Sequence, residues 1–203
     1  MPVSINGNTG VITGLAVGGL PDGVVDADML ASNAVTSGKL ASGVGGKFLQ
    51  VVSTTRTDTF SQSSVDEHEH SGAAISVTIT PSSSSSKIFL IATLTMGLSN
   101  DNEGSFAFFR GGSILSGAIG DAAGSRTRTG FGCFINSTST PTGLNGTFLD
   151  SPSTTSSTTY DCRLSHGGNG GNLTVYLNRS HNDTNADQDS RYISTLTAIE
   201  VAA

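Results

Sequence analysis

The chain has no tryptophan, and charged side chains make up only 13% of its 203 residues. Lysine and arginine number 10 against 16 acidic residues, which gives a net charge of −6. Binding to nucleic-acid phosphates needs clustered lysine and arginine, so this balance argues against such a partner. No run approaches the roughly 20 apolar residues of a membrane-spanning helix, and no signal-like segment opens the chain. We therefore expect neither nucleic-acid binding, signal-directed secretion nor membrane insertion.

Cysteine is also scarce, since only Cys133 and Cys162 are present, each within a strand-like run. Two buried free thiols are the simpler interpretation. A disulfide between neighbouring strands is the alternative if the chain meets oxidising conditions. The sequence leaves both open.

From residue 46 onward the chain is rich in strand-like runs separated by Gly, Ser, Asn and Asp. Ile75, Val77 and Ile79 alternate with polar residues, which is the period-two pattern of a half-buried strand. The nearly continuous apolar run 87–94 predicts a central strand buried on both faces. Other candidate strands lie at 48–52, 105–110, 113–118, 129–135, 143–149, 158–164, 172–178 and 192–201. The fold class is therefore all-β, an antiparallel sandwich or jelly roll over residues 46–203.

The first 45 residues have a different texture, because glycines and isolated aliphatic residues recur there without any aromatic residue. Such a segment cannot bury enough apolar surface to fold alone. We expect residues 1–20 to be an extended arm that attaches to a larger assembly, and residues 21–45 to be a short helical or intertwined trimeric stalk. The arm would attach through its aliphatic residues Val3, Ile5, Val11, Ile12, Leu15 and Val17. The stalk would stack apolar layers around a threefold axis through Met29, Leu30, Val35 and Leu40.

A series of motifs runs in order from Gln50 to Val201: QVVSTTRTDTFSQSS, SVTITPSSSSSKIFLIATLTMG, FRGGSIL, FLDSPSTTSSTTYDCRLS and STLTAIEVA. This order resembles the carboxy-terminal head domain of many bacteriophage fibre proteins. The segment NAVTSGKLASG is similar to the repeats that precede such heads. The resemblance implies a trimeric jelly-roll head on a slender stalk, carried on a virion and often used to bind host surfaces. It brings no catalytic residues.

The sequence accordingly predicts a homotrimeric virion fibre, assembled in the host cytoplasm, that is attached through its N-terminus and binds a host-surface glycan or protein through its head. Its other partners would be phage tail or capsid proteins. A capsid-decorating fibre or tail adaptor with a purely structural role is the alternative, and a carbohydrate-binding adhesin is a remoter one. We do not expect an enzyme, because neither a nucleophile elbow nor an H-E-x-x-H motif occurs.

His68 and His70 are the residues best suited to hold a metal. On a strand they point the same way, so three chains around one axis would bring together six imidazoles, enough for an octahedral transition metal. The alternative is a polar exposed loop or edge strand without a metal. We expect no other cofactor.

Several polar residues are candidates for receptor-binding loops. Arg126 and Arg128 alternate, so on a strand end they would share one face. The acidic run 183–189 spaces oxygen ligands at every second residue but lacks the glycine and glutamate of an EF-hand, so an exposed contact loop is the favoured interpretation. The full set of candidate loop residues is Arg126, Arg128, His166, Asn169, Asp183, Asn185 and Asp187.

Overall fold

The structure is a computed structural model that describes residues 4–6, 11–13, 35, 47–66, 69–167, 171–187 and 189–203. The chain divides into two compact units, Met1–Gly46 and Lys47–Ala203. In the first unit, β1 (Ser4–Asn6) and β2 (Val11–Thr13) pair antiparallel, with Ile5 opposite Ile12. Of the predicted stalk residues only Val35 is described, and it is 49% exposed. The other predicted arm and stalk residues, Val3, Leu15, Val17, Met29, Leu30 and Leu40, lie outside the described residues.

The second unit consists of antiparallel strands and one short 3-10 turn at Ser116–Ala118. Its strands are β3 (Phe48–Arg56), β4 (Phe60–Val65), β5 (His70–Ile79), β6 (Lys87–Leu98), β7 (Asn102–Arg110), β8 (Ser113–Ile114), β9 (Phe131–Ile135), β10 (Thr142–Asp150), β11 (Thr158–His166), β12 (Leu173–Leu177) and β13 (Ser194–Val201).

These strands form two sheets, each with four strand positions, which we call rows. Three of the rows are made of two consecutive strands that lie end to end. In the first sheet the row order is β10, β6, then β12 with β13, then β4 with β3. In the second sheet it is β5, β11, β7, then β8 with β9. Row by row, the chain passes from one sheet to the other, except that β7 is followed by β8 and β9 in the same sheet, and this is the arrangement of a jelly roll. The predicted all-β antiparallel sandwich of jelly-roll type is confirmed.

The core lies between the sheets and follows from the period-two pattern of the strands. Ile88, Leu90 and Leu94 of β6 point inward and are fully buried. They belong to one apolar cluster with Phe106 and Phe108 of β7, whose rings meet edge to face at 5.5 Å. Burial of each such side chain contributes about 1.5–3 kcal/mol. This cluster determines which side of each sheet faces the core.

Two of the predictions about strands are wrong in detail. Run 87–94 is not buried on both faces, since Phe89 and Ile91 are half-buried and Thr93 is exposed on the outer side of the sheet. The region 113–118 is a two-residue strand followed by a 3-10 turn. The strand Phe60–Val65 was not anticipated, because its sequence FSQSSV lacks the apolar alternation that marks a half-buried strand.

Both cysteines are free thiols, which settles the alternative that the sequence left open. Cys162 is fully buried in the core and Cys133 is half-buried on β9. They lie on opposite sides of β7, opposite Phe108 and Gly104 respectively. Burial raises the pKa of both thiols, so they behave as small apolar side chains.

Asn178 is the first residue of the long loop 178–193, which connects β12 to β13. It is fully buried and has a positive φ of 63°, a conformation that asparagine tolerates better than most residues. Its Nδ2 donates to the carbonyl oxygens of Arg56 and Asp58, each at 2.9 Å. Its Oδ1 accepts from the Ser194 hydroxyl at 2.6 Å. The Asn178 side chain thus links the connection between β3 and β4 to the connection between β12 and β13.

We predict that Asn178→Ala lowers the free energy of unfolding by about 3 kcal/mol, since three buried hydrogen bonds are lost at a position with positive φ. Chemical denaturation of the full chain measures this. The control is Asn136→Ala, exposed just after β9 of the second sheet, which should change stability by no more than about 0.5 kcal/mol. Equal effects of the two substitutions would contradict the role assigned to Asn178.

Glu200 is a buried carboxylate at the edge of the core. Its Oε1 accepts from the backbone N–H and the hydroxyl of Ser82, both at 2.7 Å, and its Oε2 accepts from Nε2 of Gln50 at 2.6 Å. Burial by itself raises the pKa of Glu200, but hydrogen bonds from Ser82, Gln50 and Ser86 outweigh it and lower the pKa to about 2. The charged form therefore ties β13 and β3 to the loop before β6.

A carboxyl group whose pKa falls from 4.5 to about 2 on folding stabilises the protein above pH 4.5, and this contribution is lost as the pH drops from 4.5 towards 2. We predict that Glu200→Gln lowers stability at pH 7 and flattens the dependence of stability on pH within that window. Denaturation at a series of pH values tests this. The control Glu103→Gln removes an exposed carboxylate and should keep the wild-type slope.

Candidate functional site

A polar cleft with a volume of about 380 Å³ lies at one end of the second sheet. It is bounded by the start of β7, the end of β11 and the connecting segment (residues 119–130) that leads to β9. The lining consists of Glu103, Ser105, Ser125, Arg126, Thr127, Thr129, Ser165, His166 and Gly167. Five of these nine residues carry hydroxyl groups, so the walls offer both hydrogen-bond donors and acceptors.

The connecting segment is held against the sheet by its own backbone and by one close approach. The N–H of Gly120 donates to the carbonyl of Thr129 at 3.1 Å, and the Thr129 hydroxyl donates to that of Ser105 at 3.0 Å. A Cβ atom on Gly130 would lie 2.8 Å from the carbonyl oxygen of Phe106. Only glycine therefore fits where the segment returns to the sheet, and this fixes one wall of the cleft.

Two opposite charges in the cleft have no ionic partner within the described part of the chain. Arg126 donates to the carbonyl of Ala123 at 3.3 Å, and no carboxylate lies within ion-pair distance of it. Glu103 lies beside Gly167, and no cation lies within ion-pair distance of its carboxylate among those same residues. The cleft thus presents one cation and one anion that can each take a ligand.

His166 forms the floor of this arrangement, and its position corrects one prediction. It ends β11 and is 1% exposed, so it does not belong to an exposed loop as the sequence predicted. Its Nε2 lies 2.7 Å from the carbonyl oxygen of Val65. Its Nδ1 is buried and has no hydrogen-bond partner among the described residues. A buried polar atom without a partner is unusual and calls for a water or ligand atom.

The two arginines predicted to share a strand face lie instead in the connecting segment, outside any strand. Arg126 reaches the cleft. Arg128 is exposed, donates from Nε to the carbonyl of Gly120 at 2.7 Å and does not line the cleft. Asn169, which follows His166 in the same predicted loop, lies outside the described residues. The structure therefore brings together Arg126 and His166 from the predicted set.

The loop that carries Asp183, Asn185 and Asp187 is a separate surface, organised by ion pairs. Asp183 is half-buried and pairs with Arg179 at 3.0 Å and with Arg191 at 2.8 Å, so both its oxygens are occupied by guanidinium groups. Within the loop, Asp189 accepts from the N–H of Thr184 at 2.8 Å. Hydrogen bonds from Thr184 lower the pKa of Asp189. Asn185 and Asp187 are exposed, and neither lines the cleft.

The predicted metal site is only partly described, because His68 lies outside the described residues. His70 begins β5, and its ring meets that of Phe109 at 5.3 Å. Burial, and then the nearby cation of Arg163, lower the pKa of His70, so its imidazole is neutral at pH 7. Among the described residues no three His, Cys, Asp or Glu side chains cluster in a way that could hold a metal. The metal at His68 and His70 stays a prediction.

The outer side of the first sheet carries a feature that sequence reasoning missed. Four apolar side chains lie directly opposite one another, one in each of the four strand rows, and so form a line across the sheet. We call this line the apolar row: Val51, Ile199, Phe89 and Leu149. Val51 is 61% exposed and Leu149 46%. Nearby Phe48 and Leu49 on β3 are also exposed. Their alignment depends on strand register, which no single segment of the sequence reveals.

Two further lines of outward-facing residues, on the side of the apolar row toward the C-terminal end of β6, carry no charge. They contain Ser53, Thr197, Ile91 and Thr147, followed by Thr55, Thr195, Thr93 and Asn145. The hydroxyls of Ser53 and Thr197 lie 2.8 Å apart, which confirms that they share this face. These three lines of residues form an uncharged patch with an exposed apolar band at one end, and Lys87 lies beyond that band, opposite Val201.

Comparisons with known proteins give little guidance. No protein-family description matches the chain, and no curated protein matches it in sequence. One solved structure that matches is that of the infectious bursal disease virus Gx strain, with 14% identity and a TM-score of 0.36. The match covers 76% of this chain and 37% of the viral chain. A similarity this low carries no argument about function.

In the part of the chain that the structure describes, no helix has the length and apolarity required to cross a membrane.

Proposed function

We propose that this chain is a structural component of a bacteriophage virion, a homotrimeric fibre that is attached through its N-terminal segment and binds the host cell surface through its jelly-roll head. The order of motifs from Gln50 to Val201 supports the assignment to phage fibres. The observation that carries the proposal is the apolar row, because an exposed apolar band on a sheet is typical of a surface that packs against a partner.

Identical copies are the partner that this surface suits best. Each chain has a net charge of −6, so repulsion between copies is smallest where the contacting faces add no like charges at close range. The outer face of the first sheet meets that condition in the apolar row and in the two lines of residues toward the C-terminal end of β6, and Lys87 lies at the opposite border. Interface cores are likewise depleted in charged residues and enriched in aromatic ones such as Phe89.

The position of the face also suits a fibre. The 46 residues that precede the head join it at Lys47, next to Phe48 and the apolar row. Three heads packed through this face would bring their three Lys47 residues, where the N-terminal segments begin, towards one axis. Those segments have too little apolar surface to fold alone, so they depend on such an arrangement.

We predict that Val51→Asp breaks the trimer, because it places three carboxylates in an apolar contact. Light scattering coupled to size exclusion should give three times the 20.6 kDa mass of one chain for the wild type and a single chain mass for the variant. Phe134→Asp is the matched control, since Phe134 is 66% exposed on β9 of the other sheet and should leave the trimer intact. A monomeric wild-type chain at micromolar concentration would contradict the proposal.

Host binding is tested by competition. We predict that the purified full chain slows adsorption of virions to host cells, because three sites on one rigid body gain avidity through effective concentration. The Val51→Asp variant should compete at least tenfold less well, since it presents single sites. A trimer that neither touches cells nor competes would contradict host binding and favour the purely structural role of a capsid-decorating fibre or tail adaptor.

A further inference from the structure

Three polar groups of the cleft residues lack partners among the described residues. The Arg126 guanidinium and the Glu103 carboxylate have no ionic partner there. Nδ1 of His166 has no hydrogen bond there. Two of them are charged and the third is fully buried. Polar groups in such a setting are satisfied by water or by a ligand. Together they describe the chemistry of the molecule that would fit.

The tautomer of His166 sets the first requirement. The Val65 carbonyl can only accept a hydrogen bond, so a proton lies on Nε2, 2.7 Å away, and Nδ1 faces no acceptor for a second proton among the described residues. Nδ1 then carries a lone pair and is an acceptor. The ligand must therefore donate a hydrogen bond to Nδ1, as a hydroxyl group does.

The walls set the second requirement. Apart from the two charges and the imidazole, the described residues of the lining are serine, threonine and glycine, with no aromatic or long aliphatic side chain among them. Such walls offer nothing to hold the apolar side chain of a peptide. They do suit a sugar, whose hydroxyl groups alternate as donors and acceptors along a ring.

Arg126 and Glu103 set the third requirement. A guanidinium group binds a carboxylate through two parallel hydrogen bonds, which makes it selective for planar anions. Glu103 accepts hydroxyl protons and repels additional negative charge, so a ligand with several phosphate groups is disfavoured. One carboxylate on an otherwise neutral polyol satisfies both residues.

We propose that this cleft binds a carboxylated sugar of the uronic-acid class, with its carboxylate on Arg126 and its hydroxyl groups donating to Glu103 and to Nδ1 of His166. The proposal names the class of receptor for the host binding proposed above and rests on that function.

Ligand-observed NMR titration of the full chain with glucuronate, glucose and acetate tests the proposal. We expect saturable binding of glucuronate, at least tenfold weaker binding of glucose and of acetate, and loss of the preference over glucose in Arg126→Ala. Arg128→Ala is the matched control, since Arg128 is an exposed arginine of the same segment that does not line the cleft. It should keep the wild-type preference.

A second readout follows His166 directly. The chain has four histidines, so selective ¹⁵N labelling resolves each ring. We expect the Nδ1 signal of His166 to have the shift of an unprotonated nitrogen, and to move upfield when glucuronate is added, because it then accepts a hydrogen bond. A protonated Nδ1 in the free chain would overturn the proposal.

The remaining outcomes separate this inference from the proposed function. Absence of saturable binding, equal affinity for acetate, or full affinity in Arg126→Ala overturns the carboxylated-sugar site. If the same chain still competes with virions for cells, host binding stands and its receptor is a protein or a neutral glycan. If glucuronate binds through Arg126 and adsorption is unaffected, the site stands and its role in host attachment fails.

Discussion

The fold depends on one constraint, the burial of a single apolar face of each sheet against the other. The chain has only 13% charged residues and no tryptophan, so packing of inward-facing aliphatic and phenylalanine side chains is the main source of stability in the head. Leu90 and Leu94 from one sheet and Phe106 and Phe108 from the other form this core. Because every second residue is committed inward, the alternate residues decide what each sheet presents to its surroundings. The apolar row is a consequence of that alternation, whereas the cleft also needs the connecting segment that forms one of its walls.

The two surfaces have different chemistry and lie on different sheets. The first sheet presents an uncharged patch around an apolar row, which suits contact with identical copies. The end of the second sheet presents two charges without ionic partners among the described residues and a buried imidazole nitrogen without a hydrogen bond there, which suits a small polar ligand. If copies associate through the first sheet, the clefts of the second sheet remain accessible on the outside. A trimer would then offer three identical weak sites at fixed spacing, the arrangement in which avidity is largest.

The sequence predicted the fold class because strand alternation and turn composition are local properties. It missed the strand Phe60–Val65, which is held by pairing with β12 and not by its own pattern. It placed His166 in an exposed loop because the glycines after it suggested one, whereas the strand continues through His166 and buries it. The apolar row was invisible for a related reason. Phe89 and Leu149 lie 60 positions apart and meet only through the register of β6 and β10.

The central claim is that three copies of this chain form a fibre on a virion with their first sheets facing one axis. A cryo-electron microscopy reconstruction of the particle that carries the chain tests it most directly. We expect density for three jelly-roll heads around a threefold axis, with Val51, Phe89, Ile199 and Leu149 at their contacts and the clefts facing outward. Heads that stand singly, or that meet through the second sheet and leave the apolar row in solvent, would contradict the account.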